Sequence, residues 1–465
     1  MAGSTKLFAP RINTQPIPKR WQHQSVSLKF LKTSHQTYDT SDPGTGKTRV
    51  HLEAWGIRRK KRGGKLLVLA PKSVLKSAWG DDIKKYTSEF TYSIAYATNR
   101  QKAFNEDVDI YITNLDAVKW LEKQKPSFWV GFDTIVIDEI TFYKHRTSAR
   151  SKAAKKIMKY FKYRNGLTGT PNALSVTDLW HQIFLLDNGQ RLGVSFFHFR
   201  NQTQSPKQVG PAANMVKWND KPGAVEAVAS LLLNMTIRNP FNECMDIPPN
   251  HMYSVVYNLP STLMTQYNEL QAEAVLALQK DDVTAVNAAV LRNKLLQLIS
   301  GAVYTSENVY EVLDTGRYEL IADLVEQRKH SVVFFNWRHQ KDQLHEMFEK
   351  RGITHEIIDG TVPDHRREAI VEQYQAGFFQ TILLHPQTGA HGLTLTRGTA
   401  TIWSSAIYQP DFLKQGLHRI YRGGQTLPTE TILVEAANTV EQMVYNILND
   451  KNTRMLSLLE LLRGV

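Results

Sequence analysis

Short, continuous apolar runs recur along the chain, each closed by polar or turn-forming residues. In the first half they are KLLVLAP (65–71), DIYITN (109–114) and TIVIDE (134–139). In the second they are SVVFFN (331–336), HEIIDG (355–360), TILLHP (381–386), TIWSS (401–405) and TILVEA (431–436). Segments with helical spacing lie between them. Apolar strands that do not alternate with polar positions, separated by helices, predict parallel sheets covered on both faces. The simplest arrangement is α/β with two doubly wound parallel-sheet lobes, over 1–245 and 246–465. The boundary is placed where NPFNECMDIPPN (239–250) interrupts helical periodicity with prolines.

Two stretches depart from this alternation. Residues 201–222, rich in Pro, Gly and Asn, read as a long surface loop inside an insertion near 182–235. In 261–304 the spacing turns helical. Leu263, Tyr267, Leu270, Ala274 and Leu278 predict one apolar face, and Val290, Leu291, Leu295 and Leu298 a second, so a helical insertion is expected there. Over 149–162, Ala149, Ala153, Ile157, Met158 and Phe161 form an apolar stripe, with Lys152, Lys155, Lys156, Lys159 and Lys162 opposite. That pattern reads as a helix packed on a sheet with a solvated lysine face, available for phosphate contact.

Composition narrows the class. With 465 residues, 42% hydrophobic and 22% charged, the chain is globular and too long for one ordinary core. No apolar run reaches membrane-spanning length and the first residues lack a signal-peptide core, so a cytoplasmic protein with no membrane partner is expected. The single cysteine, Cys244, excludes an internal disulfide framework and a cysteine zinc site. No histidine shows metal-ligand spacing. Net charge is +13, and residues 1–65 carry 14 Lys/Arg against 3 Asp/Glu. The stretch 144–164 is basic without an acid. Such an excess points to a polyanion, nucleic acid first.

The chemistry follows in order along the sequence. Asp42-Pro43-Gly44-Thr45-Gly46-Lys47-Thr48 is a glycine-rich loop ending in Lys-Thr. Small residues let backbone N–H groups approach phosphate oxygens, Lys47 reaches the β/γ-phosphates, and Thr48 can ligate Mg²⁺. Asp138 and Glu139 close the apolar strand 134–139, where a carboxylate pair holds Mg²⁺ and positions or activates water. Arg419 and Arg422, three apart on an expected helix, share a face and are placed to act as arginine fingers. ATP and Mg²⁺ are the implied cofactors.

These ordered motifs resemble the superfamily-two helicases, and among them the Swi/Snf-type translocases, over roughly 18–450. Trp21-Gln22-His23-Gln24 looks like that family's adenine-recognising motif, with Gln24 as its glutamine. LLVLAPKSVLKSAW (66–79) and ITNLDAV (112–118) look like motifs Ia and Ib, and Thr168-Gly169-Thr170-Pro171 like motif III. IRNPFNECMDIPPNH (237–251) resembles the segment that links the lobes, and 381–425 resembles motifs V and VI. Ser41, Thr141, Ala390 and Thr394 depart from the usual residues. HPQTGAHGLTL (385–395) is most similar to compact bacteriophage-carried versions, which adds a host cytoplasm to the expected locations.

The resemblance implies RecA-like lobes with ATP held in the cleft between them. It implies backbone contacts to nucleic acid through Lys72, Ser73, Asn114, Arg338 and Gly389. The expected function is a DNA-dependent ATPase that translocates on double-stranded DNA. A strand-separating or branch-migrating helicase is the nearest alternative, and a catalytically silent nucleic-acid-binding scaffold is the alternative from another class.

Overall fold

The computed structural model describes residues 17–171, 175–208, 215–279, 285–306, 309–389, 393–407, 410–446 and 461. They divide into two compact units, one reaching Asp246 and the next running from Ile247. Ala390, His391 and Gly392 and the side chains of Ala274 and Leu278 lie outside the described residues.

The first unit is built on strands β1 (Gln36–Asp39), β2 (Lys65–Ala70), β3 (Tyr92–Ala95), β4 (Ile110–Asn114), β5 (Phe132–Asp138) and β6 (Tyr163–Leu167). A hairpin of β7 (Gln204–Gln208) and β8 (Val216–Asp220) follows, and then β9 (Thr236–Ile237). The main sheet has the order β3-β4-β2-β5-β6-β1-β9, and its pairings are parallel. Alternate residues of one strand enter different cores. Leu67, Leu69, Ile135 and Ile137 join one cluster, and Leu66, Val68, Ile112 and Val136 join another. Burial on both faces is why these strands are continuously apolar.

In the second unit the strands are β10 (Asn250–Tyr257), β11 (Ala302–Ser306), β12 (Val309–Val312), β13 (Ser331–Phe334), β14 (His355–Ile358), β15 (Thr381–Leu384), β16 (Ala400–Trp403) and β17 (Thr429–Ala436). A parallel sheet runs β10-β17-β16-β13-β15-β14, and β11 and β12 form a separate antiparallel pair. The same partition recurs: Val332, Phe334 and Leu384 face one core, and Val333, Leu383 and Ile432 the other. The fold class is therefore the expected one of two doubly wound parallel sheets. A buried ion pair locks the second core, with Arg317 and Glu441 2.8 Å apart at 1% and 0% side-chain exposure. Glu441 also accepts the backbone N–H groups of Ala406 and Ala436.

Three expectations are corrected in detail. The stretch read as a loop holds the β7–β8 hairpin, with residues 209–214 outside the description. It is pinned at its base by Gln204 donating to Asp220, and Arg200 stacks 3.7 Å over the Trp218 ring, so polar contacts replace the apolar face that a sequence pattern would reveal. The lysine-faced helix ends at Ile157, and Ala149, in its first turn, is exposed, while Met158 and Phe161 still reach the core. The 261–304 region forms helices Ser261–Gln279 and Ala285–Ile299. Leu295, Leu298 and Ile299 are buried but Val290 is half exposed, because the second helix packs through its last turns.

Candidate functional site

The carboxyl ends of the first sheet's strands carry the candidate chemistry. β1 ends at Asp39 and the glycine-rich loop follows, leading into helix α2 (Lys47–Arg62) after α1 (Gln22–Thr33). Gly44 and Gly46 have φ of 87° and 81°, the left-handed region that glycine tolerates. A Cβ on Gly46 would collide with the side-chain nitrogen of Gln24. Gln24 is buried against the loop, donating to the Thr45 carbonyl at 3.3 Å and accepting the Trp21 N–H at 3.1 Å. His23 also meets the Thr45 carbonyl, at 2.8 Å. Lys47 reaches back across the loop, its Nζ donating to the carbonyls of Ser41 (2.6 Å) and Asp42 (3.2 Å). Thr48, one residue on, is half-buried.

Next to the loop lies a pair that no sequence motif marks. Asp39 accepts the Ser41 N–H at 3.0 Å and faces His51 Nε2, on α2, at 3.1 Å. Burial alone would raise the Asp39 carboxyl, but the hydrogen bond and field of His51, with Lys47 and Ser41, hold it below its ordinary value.

Asp138 and Glu139 follow at the end of β5. Trp79 donates its indole N–H to Asp138 Oδ2 at 3.0 Å. Burial dominates and raises the Asp138 carboxyl, against the opposing pull of Trp79, Lys47 and His51. Glu139 has a left-handed backbone, φ 59° and ψ 56°, a conformation that L-residues adopt at a cost and that clusters at functional positions. Thr168, just past β6, donates to Glu139 Oε2 at 3.4 Å and accepts the Thr170 N–H at 3.1 Å. A Cβ on Gly169 would lie 3.1 Å from Pro43 Cδ, so this glycine lets the β6 turn abut the glycine-rich loop. Thr141 is half-buried in the short turn after Glu139.

The segment after β9 closes on the same loop. Arg238 makes a two-pronged pair with Asp42 at 2.8 and 3.2 Å and donates to the Thr40 carbonyl at 2.7 Å. Both partners are buried. Phe241 N–H reaches Asp42 at 3.0 Å, and Asn239 donates twice to the Ser41 hydroxyl, at 3.1 and 3.0 Å. The unusual serine thus serves as an acceptor for this latch. Cys244, half-buried at its end, has its thiol pushed up to about 11 by burial, with Glu243 and Asp42 adding to it.

Farther along the edge, Lys72 and Ser73 follow β2 and Asn114 ends β4, its strand neighbour. Lys72 is exposed, with Nζ 5.0 Å over the Tyr96 ring, and Asn114 accepts from Arg100 at 2.9 Å. The edge therefore runs Arg238, glycine-rich loop, Thr168, Asp138-Glu139, Lys72, Asn114.

In the second unit, Arg338 opens the helix Arg338–Arg351 after β13, 3.6 Å from Asp342. Gly389 ends the short turn that follows β15, the neighbour of β13. Arg419 lies in the helix Pro410–Ile420, whereas Arg422 lies in the turn after it, so the two do not share a helical face. They converge differently: both donate to the Leu393 carbonyl, at 3.1 and 3.2 Å. Gln425 braces this turn, donating to the Thr396 and Gly398 carbonyls at 2.9 and 3.0 Å.

The groups brought together in the first unit have the chemistry to bind phosphate and, through the carboxylates, to assist hydrolysis. Thr48 and Asp138 offer the hard oxygen donors that Mg²⁺ takes. Sequence reasoning missed Asp39, His51, Trp79 and Arg238. His51 stands one helical turn after Lys47, but nothing in the sequence pairs it with Asp39. Among the described residues no helix is long and apolar enough to cross a membrane.

Comparison with known proteins places this site in context. Residues 23–303 match the SNF2-related domain, and 316–424 match the helicase conserved C-terminal domain. The chain is 26% identical to protein p41 of Acyrthosiphon pisum secondary endosymbiont phage 1, covering 96% of this chain and 98% of p41. It is 22% identical to YwqA of Bacillus subtilis, named for ATP-dependent helicase/translocase activity, covering 89% of this chain but 45% of YwqA. A solved SWI2/SNF2 ATPase core of Sulfolobus solfataricus, in complex with dsDNA, aligns over 96% of this chain and 94% of that one, with 21% identity and a TM-score of 0.44.

Proposed function

Because the chain belongs to the SNF2-related family of helicase-type, ATP-dependent motors, we propose that it is a DNA-dependent ATPase that translocates on double-stranded DNA without separating its strands. The observation that carries this reading is the shared carboxyl edge of the first sheet. Groups suited to phosphate chemistry occupy its β1, β6 and β5 ends, and groups suited to a nucleic-acid backbone occupy its β2 and β4 ends. Ligands of open α/β sheets bind along that edge.

In this reading the backbone N–H groups of Gly44 to Thr48 and the Lys47 ammonium bind the β/γ-phosphates at the α2 N-terminus. Gln24 lies on the adenine side. Thr48 and Asp138 hold Mg²⁺, which supplies charge neutralisation at the phosphates. Glu139, oriented through Thr168, takes the proton of the attacking water. Arg419 and Arg422 stabilise the charge that develops on the transferred phosphoryl group. Lys72, Ser73, Asn114, Arg338 and Gly389 contact DNA phosphates, which gives little sequence preference and a strong dependence on salt. The net charge of +13 supports a polyanionic track.

The decisive experiment measures ATPase rate with duplex DNA, single-stranded DNA and RNA, together with triplex displacement and unwinding of a forked duplex. Stimulation mainly by duplex DNA, with third-strand displacement and an intact fork, is expected. Affinity should fall steeply between about 50 and 200 mM salt. Efficient fork unwinding would instead favour the strand-separating alternative, for which the β7–β8 hairpin is a candidate wedge. Stimulation by RNA alone would remove both.

A further inference from the structure

The second unit brings together two imidazoles and a carboxylate that play no part in the ATPase site. His345 and Glu349 stand four residues apart on the helix Arg338–Arg351, which puts them on one face. His355, the first residue of β14, meets them across the turn. One ligand atom from each lies within 4.8 Å of the other two. His345 Nδ1 and His355 Nε2 are 2.7 Å apart. The opposite nitrogen of His355, Nδ1, lies 2.8 Å from the Ile353 carbonyl, and its ring packs edge-on against Phe348 at 5.3 Å.

From this arrangement we propose that His345, Glu349 and His355 form a binding site for a divalent transition metal of the Zn²⁺ class. The tautomer is the key point. A carbonyl can only accept, so His355 Nδ1 carries the proton and Nε2 presents a lone pair toward His345. This is the support that a metal-ligating histidine ordinarily has: its other ring N–H is given to a backbone carbonyl. His345 then donates from Nδ1 to His355 Nε2. On metal binding His345 moves that proton to its Nε2 through solvent, so the ring stays neutral and both facing nitrogens become donors to the ion. With Zn–N bonds of about 2.0–2.1 Å, two nitrogens of a tetrahedral site stand roughly 3.3 Å apart. The pair must therefore open by about half an ångström, which His345, on the exposed face, can supply. Glu349 contributes the compensating negative charge. Its cationic neighbour Arg351 is directed to Asp323 and Glu326 instead. Two imidazoles and one carboxylate suit Zn²⁺, Ni²⁺ or Cu²⁺ and not Mg²⁺, which prefers an all-oxygen octahedron. The metal would bridge the helix to β14 and act as a brace. Sequence spacing conceals the site because its ligands are divided between a helix and a strand.

The test is calorimetric titration of the tag-free, full-length chain with ZnCl2 and NiCl2, with MgCl2 as control, alongside the visible spectrum of the Co²⁺-loaded protein. We expect one equivalent bound at micromolar affinity or tighter, a raised thermal midpoint with Zn²⁺, and no such response to Mg²⁺. His345→Ala and His355→Ala should each weaken binding at least tenfold, and Glu349→Gln by less, with ATPase rates unchanged. Should His355→Ala fail to fold, His345→Gln, at an exposed position, answers the same question. Absence of binding, or equal binding by wild type and His345→Ala/Glu349→Gln, overturns the site.

Discussion

Glu139 and Asp138 are neighbours in sequence with different surroundings, and those surroundings define separate tests. Glu139→Gln keeps shape and loses basicity, so ATP binding should persist while turnover falls to a small fraction of wild type, as read by nucleotide affinity beside steady-state hydrolysis. Trp79→Phe keeps the aromatic packing and removes the N–H that opposes the burial of Asp138. The Asp138 carboxyl then rises further. If it must be ionised to hold the metal, the acid limb of the kcat–pH profile moves to higher pH; an unmoved limb would separate Trp79 from the chemistry. The roles assigned to Lys47, Asp138 and Glu139 came from residue type and order, since phosphate and metal chemistry demand those types. Trp79 and Asp39–His51 did not, because each joins positions whose meeting depends on the register of β2, β5, β1 and α2.

Among the elements, most strands read correctly from sequence are buried on both faces; β14, a partly buried edge strand, was legible through its Ile357-Ile358 pair and the Asp359-Gly360 turn that follows. β1 (QTYD) and β6 (YRNGL) escaped because their buried positions are polar and paired: Thr37 donates to Asn165 at 2.7 Å, and Asp39 meets His51. β10 escaped because it forms the sheet edge and is largely exposed. The segment after β9 was legible as a break in periodicity and not as a partner of the glycine-rich loop. Arg238→Ala leaves the buried Asp42 carboxylate without its guanidinium and frees one side of the loop. A buried pair broken at one partner costs roughly 3–5 kcal/mol. In the folded variant KM for ATP should rise at least tenfold, with partial recovery in Arg238→Lys. Unchanged KM, measured beside a chemical denaturation curve, would make the pair purely structural.

At the scale of the whole molecule, the proposed mechanism requires groups from both units. Arg422→Ala should leave ATP affinity nearly intact and lower kcat by roughly 10³-fold or more, the scale of an arginine finger. A small change in a single-turnover assay would remove Arg422 from that role. Following the units during turnover calls for reporters on each, and Cys244 makes that practical. With its thiol held at about 11, only about one molecule in ten thousand carries the thiolate at pH 7, and maleimide chemistry runs through the thiolate. The native cysteine can therefore stay in place while Lys125 and Glu372, both exposed and one in each unit, are converted to cysteine. Brief labelling at neutral pH should place two dyes on Lys125→Cys/Glu372→Cys and almost none on wild type, yielding a fluorescent pair with one dye on each unit to be followed during ATP turnover.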